Sequence, residues 1–92
     1  MQELSWDDLK VLLACSRNGS TRTAASDLGV SNSTVARRLE ILEAAIEGRL
    51  FDRTPDGLLA TALCEELLPI AKTVEDTISD GQLRLTGRDS LL

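Results

Sequence analysis

Residues 19–48 read GSTRTAASDLGVSNSTVARRLEILEAAIEG, and this stretch decides the fold. Ser20 stands ahead of a short run through Ala24, Ala25 and Leu28, where a side-chain oxygen satisfies the free N–H groups of a helix's first turn. Gly29 closes that run. Only Val30 separates it from Ser31, a second cap. Beyond Ser31, Val35, Leu39, Leu42 and Ile46 recur at spacings of four, three and four, which is one apolar face of a longer helix. A short helix, a tight glycine turn and a longer helix form the helix-turn-helix pattern. Ala24 and Ala25 leave room for the two helices to approach closely. The opposite face at the start of the longer helix carries Asn32, Ser33, Ala36 and Arg37, small or hydrogen-bonding residues with one cation.

Working outward, Ser5-Trp6-Asp7-Asp8 reads as an earlier helix opening, with Ser5 as cap and Asp8 placed to complete a capping box. That helix runs to about Arg17, with Trp6, Leu9, Leu12, Leu13 and Ser16 on one face, and Asn18-Gly19 stops it. On the other side, Gly48 ends the longer helix. Leu50-Phe51-Asp52-Arg53 then alternates, Thr54-Pro55-Asp56-Gly57 turns, and Leu58-Leu59-Ala60 returns, so a small hairpin, a wing, is predicted. Thr61 caps a last helix in which Leu63, Leu67, Ile70, Val74 and Ile78 are spaced four, three, four and four, close to a coiled-coil seam. This stripe asks for a partner, a second copy or the chain's own first helix, and both can hold with alternating parts of it facing inward and outward. Pro69 removes a backbone donor inside it, at a cost of roughly 3 kcal/mol, so a kink or break is expected there. Residues 81–87 alternate like a strand between two glycines, with no sheet to join. The fold class is therefore mainly α: a winged helix-turn-helix of three helices and a two-stranded wing, followed by a long dimerisation or linker helix. The divisions fall at 1–61, 62–80 and a tail at 81–92.

The totals set limits on function. In 92 residues there is room for one small core, and 42% apolar against 27% charged residues is the balance of a folded chain, not a disordered one. No apolar run approaches the roughly 20 residues of a membrane span or the 7 to 15 of a secretory signal, which points to the cytoplasm. Cys15 and Cys64 with no histidine cannot build a four-ligand zinc site alone, and both read as small buried apolar residues. With no histidine, no phosphate-cradling glycine loop and no carboxylate or thiol beside a base, neither an enzyme nor a cofactor is expected. The net charge of −5 is unusual for a nucleic-acid binder, but it is unevenly spread. From Cys15 to Leu39, Arg17, Arg22, Arg37 and Arg38 face only Asp27, a local excess of three positive charges that leaves the rest at −8. A phosphate backbone responds mainly to charges within a Debye length, about 8 Å in physiological salt.

Gly19-Ser20, Ala24-Ala25, Leu28, Val30-Ser31, Val35, Leu39 and Leu42-Glu43, followed by Leu50-Phe51-Asp52-Arg53 and Thr61, resemble the amino-terminal domain of LysR-type transcriptional regulators of bacteria. The resemblance covers about residues 4 to 79. It implies sequence-specific binding to double-stranded operator DNA as a homodimer, and possible tetramers in the full-length protein. It also implies no small molecule bound by this part. Residues 81–85 resemble the first strand of the effector-binding domain that follows in the family, which implies a chain cut from a longer regulator. By matching positions, Asn32, Ser33, Ala36 and Arg37 would face the major groove, and Arg53 would reach backbone or minor groove from the wing. Asn32, Ser33 and Ala36 replace residues common in the family, which implies different bases read. Thr21 and Arg22 also depart from the family pattern, Arg22 in a way that adds attraction for phosphate. Asp56 and Leu59 stand where the wing is often basic.

The residues themselves leave choices. Arg37, one turn into a capped helix, reads as a base-edge contact in preference to a solvated charge, because arginine to guanine is the commonest specific pairing. Arg38 reads equally as a phosphate contact or a surface charge. Asn32 either fills the first turn or reads adenine. Ser31 caps its helix whatever the function, and Thr34 either donates to phosphate or closes the cap. Arg53 pairs with Asp52 or with phosphate. A second class of function is an acidic helical interaction module that dimerises with a full-length regulator without tight DNA binding of its own.

Overall fold

A computed structural model describes residues 3–90, with side chains through residue 87. The chain forms α1 (Trp6–Asn18), α2 (Thr21–Leu28), α3 (Asn32–Ile46), the strands β1 (Phe51–Thr54) and β2 (Gly57–Ala60), and α4 (Ala62–Ser90). It is a winged helix-turn-helix with a long carboxy-terminal helix.

Caps place the first three helices where the serines stand. Ser5, Ser20 and Ser31 each accept a backbone N–H three residues on, from Asp8, Thr23 and Thr34. Asp8 does not close a capping box. Its carboxylate turns instead toward Arg38 of α3, 3.5 Å away. The first helix is also buried more widely than one stripe. Val11, Ala14 and Cys15 join Leu9, Leu12 and Leu13 in the core while Ser16 is exposed, because α2, α3 and α4 all pack around α1. From α2 come Ala24 and Ala25, and from α3 Val35, Leu39 and Leu42.

The third helix ends one residue earlier than its glycine suggests. Glu47 takes the left-handed conformation, with φ of 56°, and Gly48 N–H donates to the Glu43 carbonyl. Gly48 lies close to α4: a Cβ there would meet the end of the Leu63 side chain, which would have to shift. The wing pairs Phe51 with Ala60 and Thr54 with Gly57 in antiparallel register. It is held at both ends. Leu58 N–H donates to the Gly19 carbonyl at 2.9 Å, and Leu50 N–H donates to the Glu43 carboxylate at 2.7 Å. Gly57, with φ of 123°, could not carry a side chain without meeting that same Gly19 carbonyl.

Thr61 caps α4 through its hydroxyl, which accepts Cys64 N–H and donates to the Arg49 carbonyl at 2.6 Å. Pro69 neither breaks nor ends the helix. Leu67 and Ala71 are buried on either side of it and Val74 packs against the core, so tertiary packing offsets the missing backbone bond. The alternation at residues 81–87 does not give a strand. With no edge to pair with, these residues satisfy their backbone within α4, which continues to Ser90. Leu91 and Leu92 of the expected tail lie outside the described residues.

Candidate nucleic-acid interface

The amino end of α3 projects from the core. Asn32, Ser33 and Arg37 are exposed, and Thr34 and Ala36 are half-buried. Ser31 holds the turn together: its Oγ lies 2.8 Å from Thr34 Oγ1 and 3.1 Å from Ser33 Oγ. With their hydroxyls committed to one another, Ser31 and Thr34 serve the cap first. The helix dipole still offers positive potential at this end.

The wing comes alongside. A hollow of about 360 Å³ lies between α3 and the hairpin, with Ala36 and Leu39 on one wall and Phe51, Arg53 and Leu58 on the other. A smaller one, about 140 Å³, brings Arg53 next to Ser20 and Thr21 at the start of α2. Arg53 thus stands between the two helices of the helix-turn-helix. The small side chain at position 36 keeps the larger hollow open.

The basic residues divide into two sets. Among the described residues, Arg22, Arg37 and Arg53 make no ion pair or hydrogen bond, and all three are exposed. Asp52, the neighbour that could have neutralised Arg53, is instead 2.6 Å from Arg49. Arg38 behaves differently. It is half-buried, paired with the nearly buried Asp8, and lines a hollow with Lys10, Val11 and Leu28, on the side of α1. Two residues that the sequence placed elsewhere or left without a role, Asp8 and Glu43, support this surface. Asp8 ties α1 to α3, and Glu43 ties α3 to the wing. Glu43 was visible only as one letter of a motif.

The long helix splits its apolar stripe. Leu67 is buried, and Leu63 and Val74 pack partly against the chain's own core. Ile70 and Ile78 remain 55% and 38% exposed, joined further along by Leu83 and Leu85. The five residues therefore do not form a single free seam. Ile70 also borders a shallow apolar hollow of about 140 Å³ with Ile46, Leu63 and Leu67. Cys15 and Cys64 are both fully buried, and burial pushes each thiol up to about 11.

A capped helix end beside a hairpin, both bearing unpaired cations, defines the class as a winged helix-turn-helix domain of the DNA-binding kind. Comparison with known proteins narrows it. The family model described as the bacterial regulatory helix-turn-helix protein, lysR family, matches residues 6–65. This chain belongs to the lysR family. Among its relatives, the Mau operon transcriptional activator of Paracoccus denitrificans is 40% identical over 65 residues, covering 71% of this chain and 23% of the relative. The HTH-type transcriptional regulator YofA of Bacillus subtilis is 42% identical over 67 residues, covering 73% and 24%. Full-length LysG of Corynebacterium glutamicum with bound effector Arg superposes with a TM-score of 0.85 at 27% identity, over 97% of this chain and 30% of that one. The DNA-binding domain of CbnR, in a structure with DNA, shares the fold with a TM-score of 0.82 at 24% identity, over 94% and 99%. The chain spans about a quarter of the length of the curated relatives it matches. Among the described residues no helix is long and apolar enough to cross a membrane.

Proposed function

We propose that this chain binds double-stranded DNA sequence-specifically as a dimer in the cytoplasm, as the DNA-reading part of a LysR-type transcriptional regulator. The observation that carries this reading is the set of exposed, unpaired arginines: Arg37 near the capped end of α3, Arg53 on the wing alongside it and Arg22 in the first turn of α2. In this reading α3 enters the major groove, where a helix fits and base edges are distinguishable. Asn32, Ser33, Ala36 and Arg37 face base edges. Arg37 supplies the forked donor that pairs with guanine, and Ala36 allows close approach. Ser31, Thr34, Arg22 and Arg53 engage the backbone, which supplies affinity and register. Arg38 contributes mainly by holding α3 on α1. The exposed members of the α4 stripe, Ile70 and Ile78, meet a second copy. Leu63, Leu67 and Val74 support them from within.

The CbnR domain, of nearly the same extent, has been captured on DNA, which supports a domain of this size being sufficient. The test is selection of duplexes from a random pool at moderate salt, followed by affinity measurements on the winners and on scrambled versions. Preference for the winners supports the reading. Equal affinity would overturn it. The acidic total of −5 motivates the alternative, an interaction module for a full-length regulator. Heterodimer formation with no DNA shift at low salt would favour that alternative.

A further inference from the structure

Along α4, Cys64, Leu68, Ala71 and Glu75 follow one another at helical spacing on the side packed against the domain. This stripe ends in a carboxylate. Both oxygens of Glu75 accept hydrogen bonds from Arg17 in the last turn of α1, at 2.9 and 2.7 Å, across 58 positions of sequence. Lys72 Nζ adds a third bond at 3.2 Å and also reaches Asp76 at 3.0 Å. Past Glu75 the environment changes. Residues 76–80 and 82–86 are all exposed, and among residues 76–85 no hydrogen bond or ion pair reaches back to the winged domain.

A partly exposed ion pair contributes little to stability, but two parallel bonds from a planar guanidinium fix the orientation of what they hold. Orientation matters here because of leverage. The 15 residues from Asp76 to Ser90 make an arm of about 22 Å at 1.5 Å per residue. A tilt of about 10° at the clamp moves its far end by about 4 Å, comparable with the roughly 3.4 Å between successive base pairs.

We propose that Arg17 and Glu75 are positioning residues, a clamp that sets the direction in which α4 leaves the winged domain and hence the half-site spacing the dimer accepts. The spacing rests on the DNA-binding reading above. The direction of the helix does not, and it is measured separately.

Spin labels on Ser26→Cys and Arg84→Cys, both exposed positions, report the angle by pulsed electron paramagnetic resonance in chains diluted with unlabelled protein. The native thiols are fully buried and escape labelling. The parent should give one narrow distance distribution. Glu75→Gln and Arg17→Lys should broaden or displace it, at near-parental thermal stability, and the exchanged pair Arg17→Glu with Glu75→Arg should narrow it again. An unchanged distribution in both single variants overturns the clamp, whether or not the exchanged pair folds.

The second measurement uses duplexes carrying two inverted copies of the selected half-site, separated by gaps varied one base pair at a time. The parent should prefer one gap by about tenfold, about 1.4 kcal/mol, and Glu75→Gln should lose that preference while binding a single half-site as the parent does. A retained preference counts against the clamp. A parent that binds no DNA overturns the functional reading instead, and the distance measurement still decides the clamp.

Discussion

On α2, α3 and the wing, Arg22, Arg37 and Arg53 stand exposed with no carboxylate partner among the described residues, whereas at the junction of α1 and α4 Arg17 is held by both oxygens of Glu75. One region leaves its cations available and the other neutralises them. The same residue type thus does two jobs, and what separates them is the nearest acid, not the local sequence. Arg17 and Arg22 are only five positions apart. Total charge is a poor guide to such a molecule, because Glu65, Glu66, Glu75, Asp76 and Asp80 all lie on α4, outside the helix-turn-helix and its wing.

Salt dependence offers the largest effect with which to break this contrast. If Arg22 and Arg53 of each domain neutralise one phosphate apiece, a dimer neutralises about four, and affinity should fall about 10²-fold between 50 and 200 mM salt. Alanine at Arg22 or Arg53 should flatten the logarithmic slope by about 2, one phosphate in each domain. Arg17→Ala should leave the slope alone. Fluorescence anisotropy titrations over a salt series give all of these slopes, and equal flattening by Arg17→Ala would erase the distinction between the two regions.

Arg37 sharpens the comparison from within the exposed set. Its removal should cost about 1 to 3 kcal/mol of discrimination between a selected site and one altered at a single base pair, with thermal stability unchanged. Arg22→Ala should weaken both sites alike. Should Arg37→Ala also lower both equally, Arg37 would be a backbone contact and the base-reading role would have to move to Asn32 or Ser33.

Ser31 tests how far the cap and the interface are one structure. Ser31→Ala removes the acceptor of Thr34 N–H and should lower stability by about 1 kcal/mol, seen as a lower midpoint in urea. Ser20→Ala, which unmakes the equivalent bond to Thr23, should cost a similar amount in stability and less in DNA affinity.

Much of this was legible in the order of residues. Hydroxyl caps before apolar periodicity located α1, α2 and α3, and the turn at residues 54–57 located the wing, because these signals act within a few residues of themselves. Misreadings came where distant contacts decide. The helix runs through Pro69 because Leu67 and Ala71 on either side of it are buried, and the residues after Gly81 satisfy their backbone within that same helix, whereas the α4 stripe does alternate between core and surface as its residues allowed. The interface was legible as a list, Asn32, Ser33, Ala36, Arg37 and Arg53. That Arg38 is drawn to Asp8, 30 positions away, was not. Nor was the Arg17–Glu75 pair, since neither residue belongs to a recognisable motif.

That pair gives the smallest effect and the most local one. The Arg17 guanidinium, through its hydrogen bonds, holds the Glu75 carboxyl down to about 2 from an ordinary 4.5, with Lys72 assisting. A carboxyl depressed by folding stabilises the native state at pH values above 4.5, and that contribution is lost as pH falls from 4.5 through about 2, where the native state takes up the proton. The gain is modest, because Arg17 is half exposed and water screens the pair. The expectation is therefore a difference between variants. Arg17→Ala should return Glu75 toward its ordinary value and remove this part of the acid sensitivity, so parent and variant should converge in stability as pH drops from 4.5 toward 2. Carbon-13 titration of the Glu75 carboxyl measures the depression directly. A midpoint near 4.5 in the parent would mean that the two side chains are apart in solution, and the cations of the two regions would then differ only in position.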